Sequence, residues 1–481
     1  MAFPVILVNA STGSDASNIS GAGPGTPVQG TAAATDVAGT TVTVDAGTNI
    51  SGVAIDGSAA IYIHDTTAGH RRWSKITGSA GSGGATPTFT VAEAYTGSLS
   101  GKTWGVGGIR ASIGGADSKL LVDNNAAAGD AMPGWSIELQ SAHSETIAAT
   151  FDVRRAGDST SGPITLRGTA GAGTRPLLTF SNNGNCIMPR AAAQVFRAFE
   201  LRNTNATKTL SVAFQCSSSV GASIIDVKVA HSTNKFWKGV VDSGTGYTLV
   251  RDCEFGYCAN VAAELAAAKH FRYLFNYIHD CGATAGLSLT ATGATAVIYG
   301  NVCYNNTGDG LRVTTSSVNA QGILIAHNTF DANTSDGIEF SGANVSGYSL
   351  INNIHSNNGG YGLNFSATTD VSLIGLGVIL LGSDFYNNSS GPYNPTPLTV
   401  SENEQTLDPT YTNAAGADFS IGTNLKAKGY PVGGTLAIGT GSSTYSYVDP
   451  GAAQRQEASA STIAIAVSSP IVISAGGRVG Y

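Results

Sequence analysis

Three lines of polar and aromatic side chains recur about every 25 residues between positions 279 and 386, a spacing typical of a repetitive fold. Aromatic rings pack against the faces of pyranose sugars, while carboxylate and guanidinium groups hydrogen-bond sugar hydroxyls. These residue types therefore predict carbohydrate binding along one outer face of the repeat. The candidate binding residues are Tyr304, Asp309, Arg312, Asp331, Asp336, Glu339, His355 and Tyr361.

Hydrolysis of a sugar polymer is the second chemistry that these residues suggest. Two carboxylates such as Asp331 and Glu339 cleave a glycosidic bond when about 5–9 Å separates them. However, outward positions of a repeat have to be polar, so such a surface arises without any function. Asp309 and Asp336 each precede a glycine, and turn formation explains both of them first. We therefore predict no catalytic residue, no metal and no cofactor.

The repeat itself is clearest in three copies of an Asn-x-apolar-x-x-Asn pattern, which begin at Asn301, Asn328 and Asn352. A period of about 20–50 residues predicts a solenoid, in which each copy packs on the next. The alignment predicts one inward apolar ladder: Phe255, Ile278, Cys303, Phe330, Ile354 and Phe385. It also predicts asparagine ladders on both sides of it: Asn276, Asn301, Asn328 and Asn352, then Asn306, Asn333, Asn357 and Asn388.

Each copy contains two further short segments in which apolar residues alternate. In the copy that begins at Asn301 these are Leu311-x-Val313 and Ile323-x-Ile325, and the later copies have Ile338, Tyr348, Leu363 and Val371 at the matching places. Alternation with a period of two indicates strands, and turn residues separate them. Three strands per coil predict three parallel sheets that enclose one continuous core.

Composition excludes several classes of protein. The chain has 481 residues and a net charge of −7, whereas nucleic acids and anionic membranes bind basic surfaces. An apolar run of about 18 residues, as membrane insertion requires, is absent from the sequence. The N-terminus has no basic region before its short apolar run, so we expect no export signal. The six cysteines lack zinc-ligand spacing and are predicted to be buried free thiols.

The segments before the clear repeats carry a family resemblance. Residues Pro133–Leu139 (PGWSIEL) and Gly162–Gly168 (GPITLRG), followed by the asparagine coils, resemble the first turns of right-handed parallel β-helix proteins of the pectate-lyase-like superfamily. Residues Ile6–Asp15 look like the strand that often opens such proteins, although Trp135 replaces the usual Asp. The resemblance covers about residues 120–395 and implies the fold. The calcium-binding carboxylate clusters and adjacent Asp pairs of enzymes in this superfamily are not evident here.

We predict an all-β chain with three regions. Residues 1–112 form a small β domain for particle attachment or capping, residues 113–395 form a right-handed parallel β-helix, and residues 396–481 form a β cap with a strand-like tail. The segment Asp418–Ile421 and the residues up to Arg455 resemble the closing tail of phage and environmental β-helix proteins. An apolar tail from Ala458 to Tyr481 is expected to dock on another subunit or on the particle.

This combination resembles the virion proteins of tailed bacteriophages. The resemblance implies a tailspike- or fibre-like structural protein of the virion that forms a homotrimer, contacts other virion proteins and touches host-surface polysaccharide. One alternative is a capsid decoration or head-spike protein without a receptor role. Another alternative is a polysaccharide depolymerase or lyase.

Overall fold

The computed structural model describes most of the repeat region and parts of both ends. The residues it describes are 5–8, 28–31, 39–65, 71, 73–95, 97–106, 109–110, 113, 130–154, 157, 160–169, 174–207, 209–216, 221–244, 246–266, 270–282, 284–290, 295–314, 322–342, 347–366, 378–394, 401–425, 428–430 and 449–452. Within these ranges, no helix has the length and apolar character of a membrane span.

Three parallel sheets enclose the core, and each coil contributes one strand to each sheet in turn. Strands are numbered in chain order. The first sheet contains, among the described residues, β1 (Val5–Val8), β8 (Ile109–Arg110), β9 (Ser136–Leu139), β12 (Ile164–Gly168), β15 (Gln194–Arg197), β18 (Ala222–Ile225), β21 (Tyr247–Arg251), β24 (His270–Leu274), β27 (Thr295–Tyr299), β30 (Ile323–Ala326), β33 (Tyr348–Ile351), β36 (Val378–Leu381) and β39 (Ser401–Glu402).

The other two solenoid sheets have matching strand orders. The second sheet is formed by β10 (Ser144–Ile147), β13 (Leu177–Phe180), β16 (Glu200–Asn203), β19 (Lys228–Ala230), β22 (Glu254–Gly256), β25 (Tyr277–His279), β28 (Val302–Tyr304), β31 (Thr329–Asp331), β34 (Ile354–Ser356) and β37 (Asp384–Tyr386). The third sheet is formed by β11 (Phe151–Val153), β14 (Asn185–Pro189), β17 (Val212–Cys216), β20 (Lys238–Asp242), β23 (Val261–Leu265), β26 (Ala285–Leu289), β29 (Asp309–Val313), β32 (Ile338–Phe340), β35 (Tyr361–Asn364) and β38 (Gly391–Asn394). The predicted all-β parallel solenoid is confirmed.

The apolar ladder has the predicted register except in one coil. His355, and not Ile354, pairs with Phe330 on one side and with Phe385 on the other. The buried imidazole stacks between the two phenyl rings, with centroid distances of 5.3 and 4.8 Å. The asparagine ladders shift by one residue in the same coil, so Asn353 and Asn358 take the places predicted for Asn352 and Asn357. The predicted third-strand segment at Val371 lies outside the described residues.

An antiparallel sheet precedes the main solenoid. Its strand order is β2 (Val28–Thr31), β7 (Thr103–Val106), β4 (Ala60–His64), β5 (Trp73–Ala80), β6 (Thr88–Val91) and β3 (Thr41–Thr43). The buried rings of Tyr62 and Trp73 pack in the same apolar cluster as Ile6 and Trp135 of the solenoid. In the sequence, the antiparallel strands lie between β1 and β8. Because β1 and β8 pair within the first sheet, the antiparallel sheet is an insertion between two strands of the solenoid. The division at residue 112 stays a prediction.

Residues 401–425, here called the C-terminal segment, include a 3-10 helix at Ala414–Gly416 and cover the outer face of the second sheet. Leu407, Tyr411, Ile421 and Leu425 of this segment pack on the outward side chain of Ile354. The Leu407 backbone N–H donates to Asp384 Oδ1 at 2.9 Å, which fastens the segment to β37. The apolar tail predicted to dock elsewhere, residues 458–481, lies outside the described residues.

The thiols lie inside the solenoid, as the sequence predicts. All six cysteines are free and buried, and burial raises the pKa of Cys253 to about 12. A thiol that stays protonated in an apolar interior packs as a small hydrophobic group. The prediction of buried free thiols is confirmed.

Candidate functional site

A cleft of about 330 Å³ opens on the outer face of the second sheet, where the cover by the C-terminal segment ends. Strands β19, β22, β25 and β28 form its floor, and the loop after the 3-10 helix forms one wall. Its lining combines charged groups with aromatic rings, which is typical of a polar ligand site. The lining residues are Arg175, Val227, Lys228, Asp252, Cys253, Glu254, Tyr277, His279, Tyr304 and Ala417.

An imidazole held between two carboxylates lies in the floor of the cleft. His279 Nδ1 is 2.8 Å from Asp280 Oδ2, and His279 Nε2 is 3.5 Å from Glu254 Oε1. Burial disfavours the imidazolium, but the hydrogen bonds to these two carboxylates outweigh it and raise the pKa of His279. The ammonium group of Lys228 contacts both oxygens of Glu254 at 2.9 Å. The cleft therefore presents donors and acceptors in fixed positions.

Aromatic rings complete the cleft. Tyr277 is 41% exposed, so part of its ring is available for stacking. Tyr304 stacks on the imidazole of His279 at 5.2 Å, and its other neighbour is Phe419 of the C-terminal segment at 4.9 Å. Burial, together with the nearby Asp280 and Glu254 carboxylates, raises the pKa of Tyr304 to about 12. The phenol thus remains a hydrogen-bond donor.

A second cluster brings five of the eight predicted residues together on the third sheet. The guanidinium of Arg312 pairs with Glu339 at 3.0 Å. The carboxylates of Asp309 and Asp336 accept backbone hydrogen bonds from the next coil, at Asp336 N and Tyr361 N respectively. Their role as turn residues thus has a direct structural basis, because each carboxylate stabilises the turn above it.

The Asp309 carboxyl group of this cluster holds its proton more tightly than an exposed carboxyl group does, because its pKa is raised. Burial raises the pKa of Asp309 to about 7, and the adjacent Glu339 adds to the shift. Asp336 is held by Asn364, whose amide donates to Asp336 Oδ2 at 2.8 Å. Asp309 and Asp336 are only 2% and 5% exposed, so little of either reaches solvent. The cluster behaves mainly as a satisfied network within the wall of the solenoid.

The other three predicted residues do not lie in one cluster. Tyr304 lines the cleft, as described above. The prediction of His355 on the outer face is wrong, because the one-residue shift of its coil turns the ring into the core. There, burial lowers the pKa of His355 to about 3.

Asp331 faces outward but is covered. Its Oδ1 accepts a hydrogen bond from Ser356 Oγ at 2.6 Å, and Ser356 in turn contacts the hydroxyl of Tyr411 at 2.9 Å. Asp331 is only 5% exposed. It lies on the second sheet, whereas Glu339 lies on the third, so the structure does not make them a pair across an open groove.

Comparison with known proteins assigns the fold. The family model described as "Right handed beta helix region" matches residues 212–389, which is less than half of the chain. The fold is a right-handed parallel β-helix. No curated protein sequence matches the chain.

Several solved structures align with the chain at low identity. The A-module of Azotobacter vinelandii mannuronan C-5 epimerase AlgE6 is 14% identical, with 57% of this chain and 77% of that chain covered and a TM-score of 0.37. Pectate lyase Pel9A is 13% identical, with coverages of 68% and 89% and a TM-score of 0.43. ORF18 of Geobacillus virus E2 is 10% identical, with coverages of 59% and 54% and a TM-score of 0.31. Similarity at this level carries no information on activity.

Gly256 makes room for the imidazole in the cleft of the β-helix. A Cβ atom at this position would lie 2.5 Å from His279 Cε1 and 2.7 Å from Nε2. We expect Gly256→Ala to displace the ring from Glu254, and the pKa of His279 should then fall towards its ordinary value. An NMR titration of the imidazole measures this change. Gly52→Ala is the matched control, because nothing lies within 4 Å of a Cβ there; an unchanged titration of His279 in Gly256→Ala would contradict the packing argument.

Proposed function

We propose that this chain is a tailspike- or fibre-like virion protein of a tailed bacteriophage that binds host-surface carbohydrate in the cleft. The observation that carries the proposal is the pairing of an exposed tyrosine, Tyr277, with the fixed polar groups of Lys228, Glu254 and His279. A ring of this kind packs against the apolar face of a sugar while charged groups bind its hydroxyls. The cleft, and not the line through Asp331 and His355, is therefore the proposed binding surface.

The virion assignment rests on the sequence. The closing-tail pattern around Asp418–Ile421 resembles that of phage and environmental β-helix proteins, and its combination with a small N-terminal β region resembles phage virion proteins. Placement on the particle can be tested by immunoelectron microscopy of purified virions. Label at the tail in a few copies is expected. Label in capsid-lattice numbers would indicate the decoration protein instead, and absence from purified particles would overturn the virion assignment.

Association into a homotrimer belongs to the same proposal. Val297, Leu324 and Ile379 occupy one outward line of the first sheet, with Ser349 between the last two, and Ile379 is 47% exposed. Apolar side chains in a row on an outer sheet face favour contact with another chain. Sedimentation equilibrium should give three times the chain mass of 48.7 kDa; a single-chain mass would contradict the trimer.

Removal of the exposed ring from the cleft provides the direct test of binding. We expect Tyr277→Ala to weaken the affinity for the host-surface polysaccharide about five- to tenfold, since a lost stacking surface costs about 1–1.5 kcal/mol. Isothermal titration calorimetry with polysaccharide purified from the host measures the change. Tyr247→Ala is the matched control, because that ring is 72% exposed but lies on the first sheet.

An equal loss of affinity in both tyrosine variants would show that the cleft is not the binding surface. Wild-type protein that binds no host polysaccharide would overturn the carbohydrate proposal itself.

A further inference from the structure

The charged side chains of the cleft are already paired with one another. Lys228 contacts both carboxylate oxygens of Glu254. Arg175 contacts Asp226 Oδ1 at 2.6 Å and also the Asp226 carbonyl oxygen. Asp252 pairs with Arg251 at 2.9 Å. A ligand that enters the cleft therefore meets compensated ion pairs and no unpaired cation among these groups.

The sum of formal charges gives the cleft and its immediate partners a slightly negative balance. Three cations stand against four carboxylates, so 3 − 4 = −1 when His279 is neutral, and 0 when it is protonated. Asp418 of the C-terminal segment adds another negative charge, which is close enough to raise the pKa of Tyr277 after burial. The cations are Arg175, Lys228 and Arg251, and the carboxylates are Asp226, Asp252, Glu254 and Asp280.

We infer that the cleft selects uncharged sugars and discriminates against acidic ones such as uronic acids. This inference rests on the proposed carbohydrate-binding function. A sugar carboxylate would have to break the Lys228–Glu254 pair or lie beside a carboxylate without compensation, and both are unfavourable. Neutral hydroxyls avoid this cost, because they donate to the carboxylate oxygens of Glu254 and accept from the ammonium of Lys228.

The geometry of the rings supports the same ligand class. Tyr277 offers an exposed face, and Tyr304 is held in place between His279 and Phe419. Stacking depends on the C–H groups of a sugar ring and requires no charge on the ligand. The ion pairs therefore determine selectivity, because they disfavour acidic sugars, while the rings and the hydroxyl contacts provide affinity.

Sugar pairs that differ only at C6 test this inference on the full-length protein. Galactose with galacturonate, and glucose with glucuronate, are compared as short oligosaccharides by saturation-transfer NMR and calorimetry at pH 7.5. The neutral member of a bound pair is expected to bind at least about tenfold tighter, equivalent to about 1.4 kcal/mol. Equal or tighter binding of the acidic member overturns the selectivity while leaving the proposed function intact. Failure of every sugar, including host polysaccharide, overturns both.

A charge variant tests the cause of the selectivity. Glu254→Gln removes the partner of Lys228 and leaves the shape nearly unchanged, so the preference for neutral over acidic sugar should shrink or reverse. Glu264→Gln is the matched control, because Glu264 pairs with Lys238 on the third sheet. Thermal unfolding of both variants confirms that they are folded. An unchanged preference in folded Glu254→Gln would overturn the charge argument.

Discussion

Replacement of Asn328 by alanine should lower the free energy of unfolding by about 3–5 kcal/mol, because several buried groups lose their partners at once. The side-chain oxygen of Asn328 accepts hydrogen bonds from both the backbone N–H and the side-chain amide of Asn301, each at 2.9 Å. Its own amide donates to the carbonyls of Ile298 and Ala326 and to Asn353 Oδ1. Alanine forms none of these hydrogen bonds. Because Asn328 is completely buried, at 0% exposure, water cannot supply the missing partners.

Urea unfolding followed by circular dichroism measures the loss, and hydrogen exchange at the Asn301 amide locates it. Asn424→Ala is the control, since its exposed side chain makes one hydrogen bond to the Asp408 carbonyl and should cost less than about 0.5 kcal/mol. If Asn328→Ala destabilised the chain by no more than the control, the asparagine ladder would not be a source of stability.

The asparagine ladders also show why the sequence predicts the fold so well. The side-chain oxygen of Asn328 accepts a hydrogen bond from the backbone N–H of Asn301, which has the same place in the coil before it. The spacing of these asparagines therefore indicates how the coils stack. Inward apolar residues such as Phe330 follow from the same alignment. The repeating chemistry of each coil is local, and local patterns are visible in a single sequence.

The coil around His355 marks the limit of this argument. Residues 352–353 and 357–358 are both Asn-Asn pairs, so two registers satisfy the ladders equally well. One register points Ile354 into the solenoid core and the other points His355 there, and hydrophobicity alone favours the first. The structure adopts the second, because the C-terminal segment covers Ile354 with Ile421 and Leu425. That contact joins residues about 70 positions apart, which no local pattern of the repeat contains.

The cleft could be predicted only in part for a different reason. Both neighbours of an inward strand residue face outward, so Glu254 and Gly256 flank Phe255, and Tyr277 and His279 flank Ile278. A prediction that considers only the residue after each inward apolar residue includes His279 and Tyr304 but misses Glu254 and Tyr277. Period-two alternation would have revealed these two. The wall formed by the C-terminal segment has no such signal, because it depends on tertiary packing.

Replacement of Asp384 by asparagine should stabilise the protein by up to about 4 kcal/mol at pH 8 and by no more than about 1.5 kcal/mol at pH 5. Asp384 is completely buried, and its Oδ1 accepts the Leu407 N–H while its Oδ2 has no partner among the described residues. Burial raises the pKa of this carboxyl to about 7, although the Leu407 hydrogen bond opposes the shift. Asparagine keeps an oxygen for Leu407 and carries no charge.

The sign follows from proton linkage. The folded pKa lies above the unfolded value of about 3.9, so the native state holds the proton more tightly between the two values. The stability that Asp384 contributes is therefore fully present below about pH 4 and is lost as pH rises through about 7. His355 acts in the opposite direction, because its folded pKa of about 3 causes stability to fall as pH drops below about 6.5. The difference in unfolding free energy between Asp384→Asn and the wild type isolates the contribution of Asp384 from that of His355.

Urea unfolding at pH 5 and pH 8 measures this difference, with Asp56→Asn as the control. Asp56 is an exposed carboxylate whose pKa Ser58 lowers, so that variant should show the wild-type change between the two pH values. A wild-type pH slope retained in Asp384→Asn would contradict the assignment.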